Sequence, residues 1–228
     1  GTVQFGLDYG VAKGNKKVPP AVVKDILDFS KNIGIDTLDT AADYGDSESI
    51  LGDIGVDYYK VITKLPIIDN NLSKSENIFF DSLKNLKQKK IYGLLIHNID
   101  SITSQNFDVF FKTINSLKSQ GLVEKIGFSV YTSSQIDYLL NNFDFDLIQV
   151  PFYILDQRLL HGGQLSKLKE NGIEIHARSA FLQGLLLMPF NDIPLWFNPI
   201  LDVLEMFHLE AKKSNMSPLQ LALSFVQS

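Results

Sequence analysis

The chain contains no cysteine, which excludes disulfide scaffolds, thiol catalysis and thiolate metal sites together. It is also short of positive charge: 21 Lys and Arg stand against 26 Asp and Glu, for a formal balance of −5. That balance argues against a nucleic-acid surface and gives no cue for membrane binding. Basic residues come in short runs such as Lys87 to Lys90, broken by Gln88, which read as solvated helix ends. No apolar run approaches the length of a bilayer span and no secretory signal opens the sequence, so a cytoplasmic protein is the expectation. His161, His176 and His208 share no ligand spacing, so no metal site is expected. Tryptophan occurs once, as Trp196 between Phe190 and Phe197, where it either lines a pocket or anchors a loop.

What is present is an ordinary globular balance, with 45% hydrophobic and 21% charged residues over 228 positions. One large domain spanning 1–228 is the expectation, because α/β barrels routinely exceed 200 residues as single units. Apolar strand-like runs alternate with amphipathic stretches about once every 25 to 30 residues, the rhythm of βα units. Strands are predicted at Thr2–Phe5, Thr37–Asp39, Lys60–Thr63, Ile91–Leu95, Lys125–Phe128, Leu147–Val150 and Ile173–Ala177. Several are continuous apolar runs, as parallel strands covered on both faces require. Helices are predicted at Ala21–Asn32, Glu76–Lys87, Phe107–Gln120, Ser133–Asn142, Gly163–Asn171 and Pro218–Val226, with Gly34 and Gly172 as stop signals. After Phe181 a segment bearing Pro189, Pro194 and Pro199 reads as an extended loop before two final helices.

Alternating β and α elements imply a parallel sheet, either closed into a barrel or open and doubly wound. Gly6, Gly10 and Gly14 do not form the glycine fingerprint of an open dinucleotide-binding sheet. Polar residues instead fall at the C-terminal end of strand after strand: Asp39, Lys64, His97, Ser129, Gln149 and Arg178. Convergence of strand ends on one face is how barrel enzymes assemble their sites. The fold class is therefore α/β, a (β/α)8 TIM barrel. Seven strands are counted, so the chain as given is expected to lack the eighth and to be incomplete at both ends.

The segment Asp39-Thr40-Ala41-Ala42-Asp43-Tyr44-Gly45-Asp46-Ser47-Glu48 puts a carboxylate at a strand end and a tyrosine on the next loop. Alone it reads equally well as a strand-to-helix turn capped by Ser47. Lys64 alone reads as a snorkelling lysine, and His97 as a core histidine. Together they are more specific. Tyrosine titrates near 10 and is a poor acid unless a nearby cation lowers its pKa, which a lysine at the next strand end can do. An aspartate can orient that lysine, and a histidine at the following strand end can position a substrate carbonyl by a hydrogen bond.

On these residues the sequence resembles the aldo-keto reductase family over essentially all 228 positions. Gly1 to Gly6 is similar to the family's first strand, and Asp39 to Glu48 matches its Asp-Thr-Ala-x-x-Tyr-Gly-x-Ser-Glu signature. The resemblance implies an NAD(P)H-dependent oxidoreductase reducing an aldehyde or ketone. In it Tyr44 donates the proton, Lys64 lowers the Tyr44 pKa, Asp39 holds Lys64, and His97 orients the carbonyl. It further implies cofactor contacts from Ser129, Gln149, Arg178, Ser179 and Gly184. Val130 stands where the family's Gly-x-Ser-Asn has asparagine, and Arg178 where many members carry a stacking aromatic. The expected cofactor is NADP, with NAD possible, and the expected partner is a small-molecule carbonyl compound, its identity and the oligomeric state left open. Two other readings stay open: a non-catalytic nicotinamide-binding barrel acting as a sensor or partner subunit, and a lyase using Lys64 as a Schiff base.

Overall fold

Six strands, all parallel, lie side by side in the order in which the chain makes them. They are β1 (Thr37–Asp39), β2 (Lys60–Leu65), β3 (Ile91–Ile96), β4 (Val123–Ser129), β5 (Leu147–Pro151) and β6 (Glu174–Arg178). The structure is a computed structural model that describes residues 1–11, 16–66, 72–99 and 107–227. Helices alternate with the strands: α1 (Val3–Gly6) and α2 (Pro20–Asn32) precede β1, and α3 (Ser47–Ile54), α4 (Leu72–Asn85), α5 (Phe107–Ser119) and α6 (Ser133–Asn142) fill the next four connections. The short α7 (Arg158–His161) and α8 (Gln164–Glu170) lead into β6. Three 3-10 turns at Leu182–Leu187, Phe190–Asp192 and Leu195–Ile200 then precede α9 (Leu201–Lys213) and α10 (Pro218–Gln227). Sequential parallel pairing with a helix in every crossover is the pattern of a barrel built strand by strand. The described strands make a half-barrel, with β1 and β6 at its edges.

The period-2 alternation of the strands separates two apolar layers. Leu38, Val61, Leu65, Leu94, Ile96, Ile126, Phe128, Ile148 and Val150 point outward into one core shared with the helices, among them Val23, Leu27, Leu51, Phe79, Leu83, Ile114 and Ile136. The opposite, concave face carries Ile62, Leu95 and Leu147. Space inside is limited. A Cβ at Gly93 would lie 2.8 Å from the Leu147 side chain, and one at Gly127 only 1.6 Å from the Leu147 carbonyl oxygen. Phe107, Phe111, Phe128 and Phe143 form a mutually packed aromatic group where α5 and the end of α6 meet β4.

One predicted strand is not formed, and six strands replace the seven expected. Thr2–Phe5 leaves the sheet after a single contact, in which the Thr2 N–H and hydroxyl both donate to the Asp39 carbonyl, at 2.9 and 3.0 Å. The chain then curls into the one-turn α1. The cause is a backbone approach: a Cβ on Gly6 would stand 1.7 Å from the Tyr44 carbonyl oxygen and 2.5 Å from the Ser47 nitrogen. Gly45, at φ 55°, is pressed against Gly6 from the other side. Two glycines let the start of the chain lie flat on the loop after β1, which a continued strand would not reach. The proline-bearing segment after Phe181 is compacted into 3-10 turns and leads into two helices. Trp196 there is 72% exposed, while Phe197 packs against a second, smaller core around Leu186, Leu204 and Phe207.

Candidate active site

Every side chain that the sequence placed at a strand end lies at the C-terminal rim of the half-barrel. The pairing registers set Lys64 opposite Leu95, Ser129 opposite Gln149, and Arg178 opposite Pro151, so the polar ends line up across β2 to β6. At the centre Lys64, with 1% of its side chain exposed, donates from Nζ to Asp39 Oδ1 at 2.7 Å and to the Thr40 carbonyl at 2.8 Å. Gln149 Nε2 donates to the same Asp39 Oδ1, also at 2.7 Å. Asp39 is thus fixed from β2 and β5 at once. Burial works to raise its carboxyl, but the Lys64 ammonium and the Gln149 amide hold it below the ordinary carboxylate value.

The loop from β1 to α3 carries Tyr44 above this pair. Ala42 N–H donates to the Lys64 carbonyl at 3.2 Å, Tyr44 N–H to the Ala41 carbonyl at 3.0 Å, and Ser47 N–H to the Tyr44 carbonyl at 3.1 Å. A tight turn, pinned to β2 on one side and opening α3 on the other, therefore sets the tyrosine. Its anchoring extends below: Ser47 Oγ donates to Thr2, and Thr63 donates from Oγ1 to the buried Glu48 at 2.5 Å. Lys64 Nζ sits 5.0 Å from the centre of the Tyr44 ring. His97, directly after β3, meets Tyr44 edge to face with ring centres 6.0 Å apart, and its Nδ1 lies 3.5 Å from Asp43 Oδ2.

The electrostatics differ in one respect from the sequence-based expectation. Burial lifts the Tyr44 phenol above its ordinary value, and the Asp39 charge adds to that, so the phenol is raised where the sequence-based expectation had it lowered by Lys64. Lys64 itself is pushed down by burial, against the pull of Asp39. His97 is also lowered, by burial first and then by Lys64, with Asp43 and Asp39 opposing. The resting site is a neutral phenol and a weakly basic imidazole over a buried ion pair.

On the β6 side, the Arg178 guanidinium stacks 4.1 Å from the centre of the Tyr131 ring and donates to the Val130 carbonyl at 3.0 Å and to Ser179 Oγ at 3.3 Å. Its buried Nε has no acceptor among the described residues. Ser179, Leu182, Gln183 and Gly184 all have positive φ, an unusual run of left-handed backbone just past the strand. The Gly184 N–H is already bonded to the Phe181 carbonyl at 3.0 Å, and the Gln183 carbonyl accepts from Val11 N–H at 3.1 Å. Ser129 is buried beside Gln149. Asp43 and Tyr131 were not singled out from sequence, although each stands one or two residues from a residue that was.

A sequence model described as the aldo/keto reductase family matches residues 1–228. The chain belongs to the aldo/keto reductase family. Among solved structures it is similar to an aldo-keto reductase of Pseudomonas aeruginosa, with 21% identity and a TM-score of 0.68 over 99% of this chain and 86% of that one. It is also similar to the holo form of an aldo-keto reductase of Bacillus halodurans, with 22% identity and a TM-score of 0.63 over 74% of this chain and 60% of that one. Both likenesses concern the fold. Comparison with curated protein sequences gave no match. Aldo-keto reductases use nicotinamide cofactors and act on small-molecule carbonyl substrates. Among the described residues no helix of this family member is long and apolar enough to cross a membrane, and no group of three His, Asp or Glu side chains gathers as a metal site.

Proposed function

We propose that this aldo-keto reductase, acting as one domain over residues 1–228, reduces an aldehyde or ketone to the alcohol with NADPH, NADH being the alternative donor. The observation that carries the reading is the buried Lys64–Asp39–Gln149 cluster, with Tyr44 and His97 standing over it at the C-terminal rim. Bound reduced nicotinamide supplies the hydride. Tyr44 supplies the proton. A phenol kept above its ordinary pKa is protonated at neutral pH, and it still loses its proton readily to an alkoxide, a base about as strong as hydroxide. Lys64 places positive charge 5.0 Å from the ring where the phenolate would form. His97 orients the carbonyl oxygen toward Tyr44.

The remaining polar groups fit a nicotinamide dinucleotide. Gln149 has committed Nε2 to Asp39, so Oε1 is the atom that would accept from the carboxamide, with Ser129 beside it. The unpartnered Arg178 Nε, with Ser179 and the left-handed turn through Gly184, would meet its anionic portion. Because the Gly184 amide is used internally, the glycine would contribute close approach rather than a donor: nothing lies within 4 Å of a Cβ built there. The Schiff-base reading loses ground, since the Lys64 Nζ is engaged by Asp39 and the Thr40 carbonyl and only 1% of its side chain is exposed, leaving no open approach for a substrate carbonyl.

The test is cofactor consumption by the full-length protein across a panel of aldehydes and ketones. Turnover is expected, and Tyr44→Phe should lower kcat by about 10²-fold or more while leaving the cofactor Kd unchanged. Wild-type turnover by Tyr44→Phe would remove the tyrosine from its role. Tight cofactor binding without reduction of any carbonyl would favour the sensor reading.

A further inference from the structure

We propose that Asp43 is a positioning residue for His97, fixing the imidazole so that Nδ1 carries a proton and Nε2, the far nitrogen, works on the substrate. This rests on the reductase reading of the site. The geometry behind it is the 3.5 Å approach of Asp43 Oδ2 to His97 Nδ1. Asp43 is well placed to do this because its neighbours are held. The Ala42 amide is bonded to β2 and the Tyr44 amide closes the turn, so the carboxylate hangs from immobilised backbone. The same turn presents Tyr44, edge-on to the histidine, so one loop sets both the proton donor and the group that aims the carbonyl.

The chemical consequence concerns the tautomer. A neutral imidazole has one N–H, and an acidic neighbour at Nδ1 keeps it there. Nε2 then holds a lone pair and can donate to a carbonyl oxygen only when the ring takes a second proton. Three described elements face the ring with charge. Lys64 from β2 opposes that proton, Asp39 from β1 favours it, and Asp43 with its neighbour Tyr44 lies on the connecting loop. Asp39 is already engaged by Lys64 and Gln149, whereas Asp43 accepts from no other described group, leaving it as the carboxylate that answers the histidine. Reduction should accordingly be fastest below the His97 midpoint and decline as pH rises through it.

Asp43→Asn and Asp43→Glu in the full-length protein test this by two independent readouts. Nitrogen NMR of the labelled histidines gives the His97 midpoint and tautomer without any turnover. Asp43→Asn should lower the midpoint by about 0.5 to 1 pH unit, a modest shift because Asp43 is 55% exposed. Asp43→Glu should restore part of that shift. The declining limb of kcat/KM for aldehyde reduction should move to lower pH by the same interval. An unchanged midpoint in Asp43→Asn would overturn the proposal, as would a shifted midpoint with an unmoved pH profile. Absence of turnover on every carbonyl would overturn the reductase reading alone, with the NMR arm still deciding the role of Asp43.

Discussion

Lys64 is a full charge with essentially no contact with water, and its surroundings show how the chain tolerates it. Its ammonium has Asp39 and the Thr40 carbonyl as partners, and Asp39 is in turn held by Gln149. Removing one member of a buried pair strands the other, typically at a cost of about 3–5 kcal/mol, whereas replacing both by apolar groups is often nearly neutral. Asp39→Ala is therefore expected to lose about that much stability in urea unfolding, and Asp39→Ala with Lys64→Met to recover most of it while remaining inactive. A double variant no more stable than the single one would mean that the Asp39 side chain stabilises the fold by another contact, the Gln149 bond first. The identities of these residues were legible because each interrupts an apolar run at its end. Their electrostatics were not. Spacing places Lys64 near Tyr44, but only the three-dimensional arrangement shows that Asp39 and burial leave the phenol raised instead of lowered.

At the scale of elements, the strongest local signals produced the best-defined boundaries. Ser133–Asn142 was predicted with the bounds that α6 has, and the structure closes its start with a capping box between Thr132 and Gln135. The Thr132 hydroxyl accepts from the Gln135 amide at 3.3 Å, and Gln135 Oε1 accepts from the Thr132 amide at 3.1 Å. Thr132→Ala should lower stability by about 1 kcal/mol, within a range of roughly 0.5–2. Because α6 packs into the main core through the buried Ile136 and Leu139, the change should leave kcat nearly intact if the helix is anchored by that packing. A loss of kcat larger than the loss of stability would show that the cap governs the Tyr131–Arg178 stack. Thr2–Phe5 failed as a strand for the opposite reason. Its apolar alternation is real, but the close backbone approach that turns it involves Gly6, Tyr44 and Ser47, and a contact across some 40 residues leaves no mark in local periodicity.

At the scale of the whole molecule, the concave face has a polar centre at each end of the strands, and the two differ in purpose. The C-terminal end gathers the candidate catalytic groups. The N-terminal end holds Glu174 of β6, which accepts from Tyr92 of β3 at 2.6 Å and from Lys125 of β4 and pairs with His176 at 2.6 Å. Three strands that are not all neighbours are thereby tied across the curvature of the half-barrel, beneath the Ile62, Leu95 and Leu147 layer. Conserving curvature at this end keeps the strand tips at the other end converging, which is the condition for the active site to exist. The tie makes stability depend on pH in a definite direction. Burial alone would raise the Glu174 carboxyl, but Lys125, Tyr92 and His176 together bring it down to about 2 from an ordinary 4.5. A carboxylate whose folded pKa is depressed contributes stability that is fully present above the unfolded value and is lost as pH falls through the folded one. The loss should therefore fall between pH 4.5 and 2. Glu174→Gln keeps the shape and one acceptor oxygen but carries no charge and cannot titrate, so its stability should be lower than wild type at pH 6 and should converge on wild type as the pH approaches 2. Urea unfolding of both proteins across that window measures the difference directly. A constant gap between the two curves would show that Glu174 acts through packing, and that the charge does not hold the strands together.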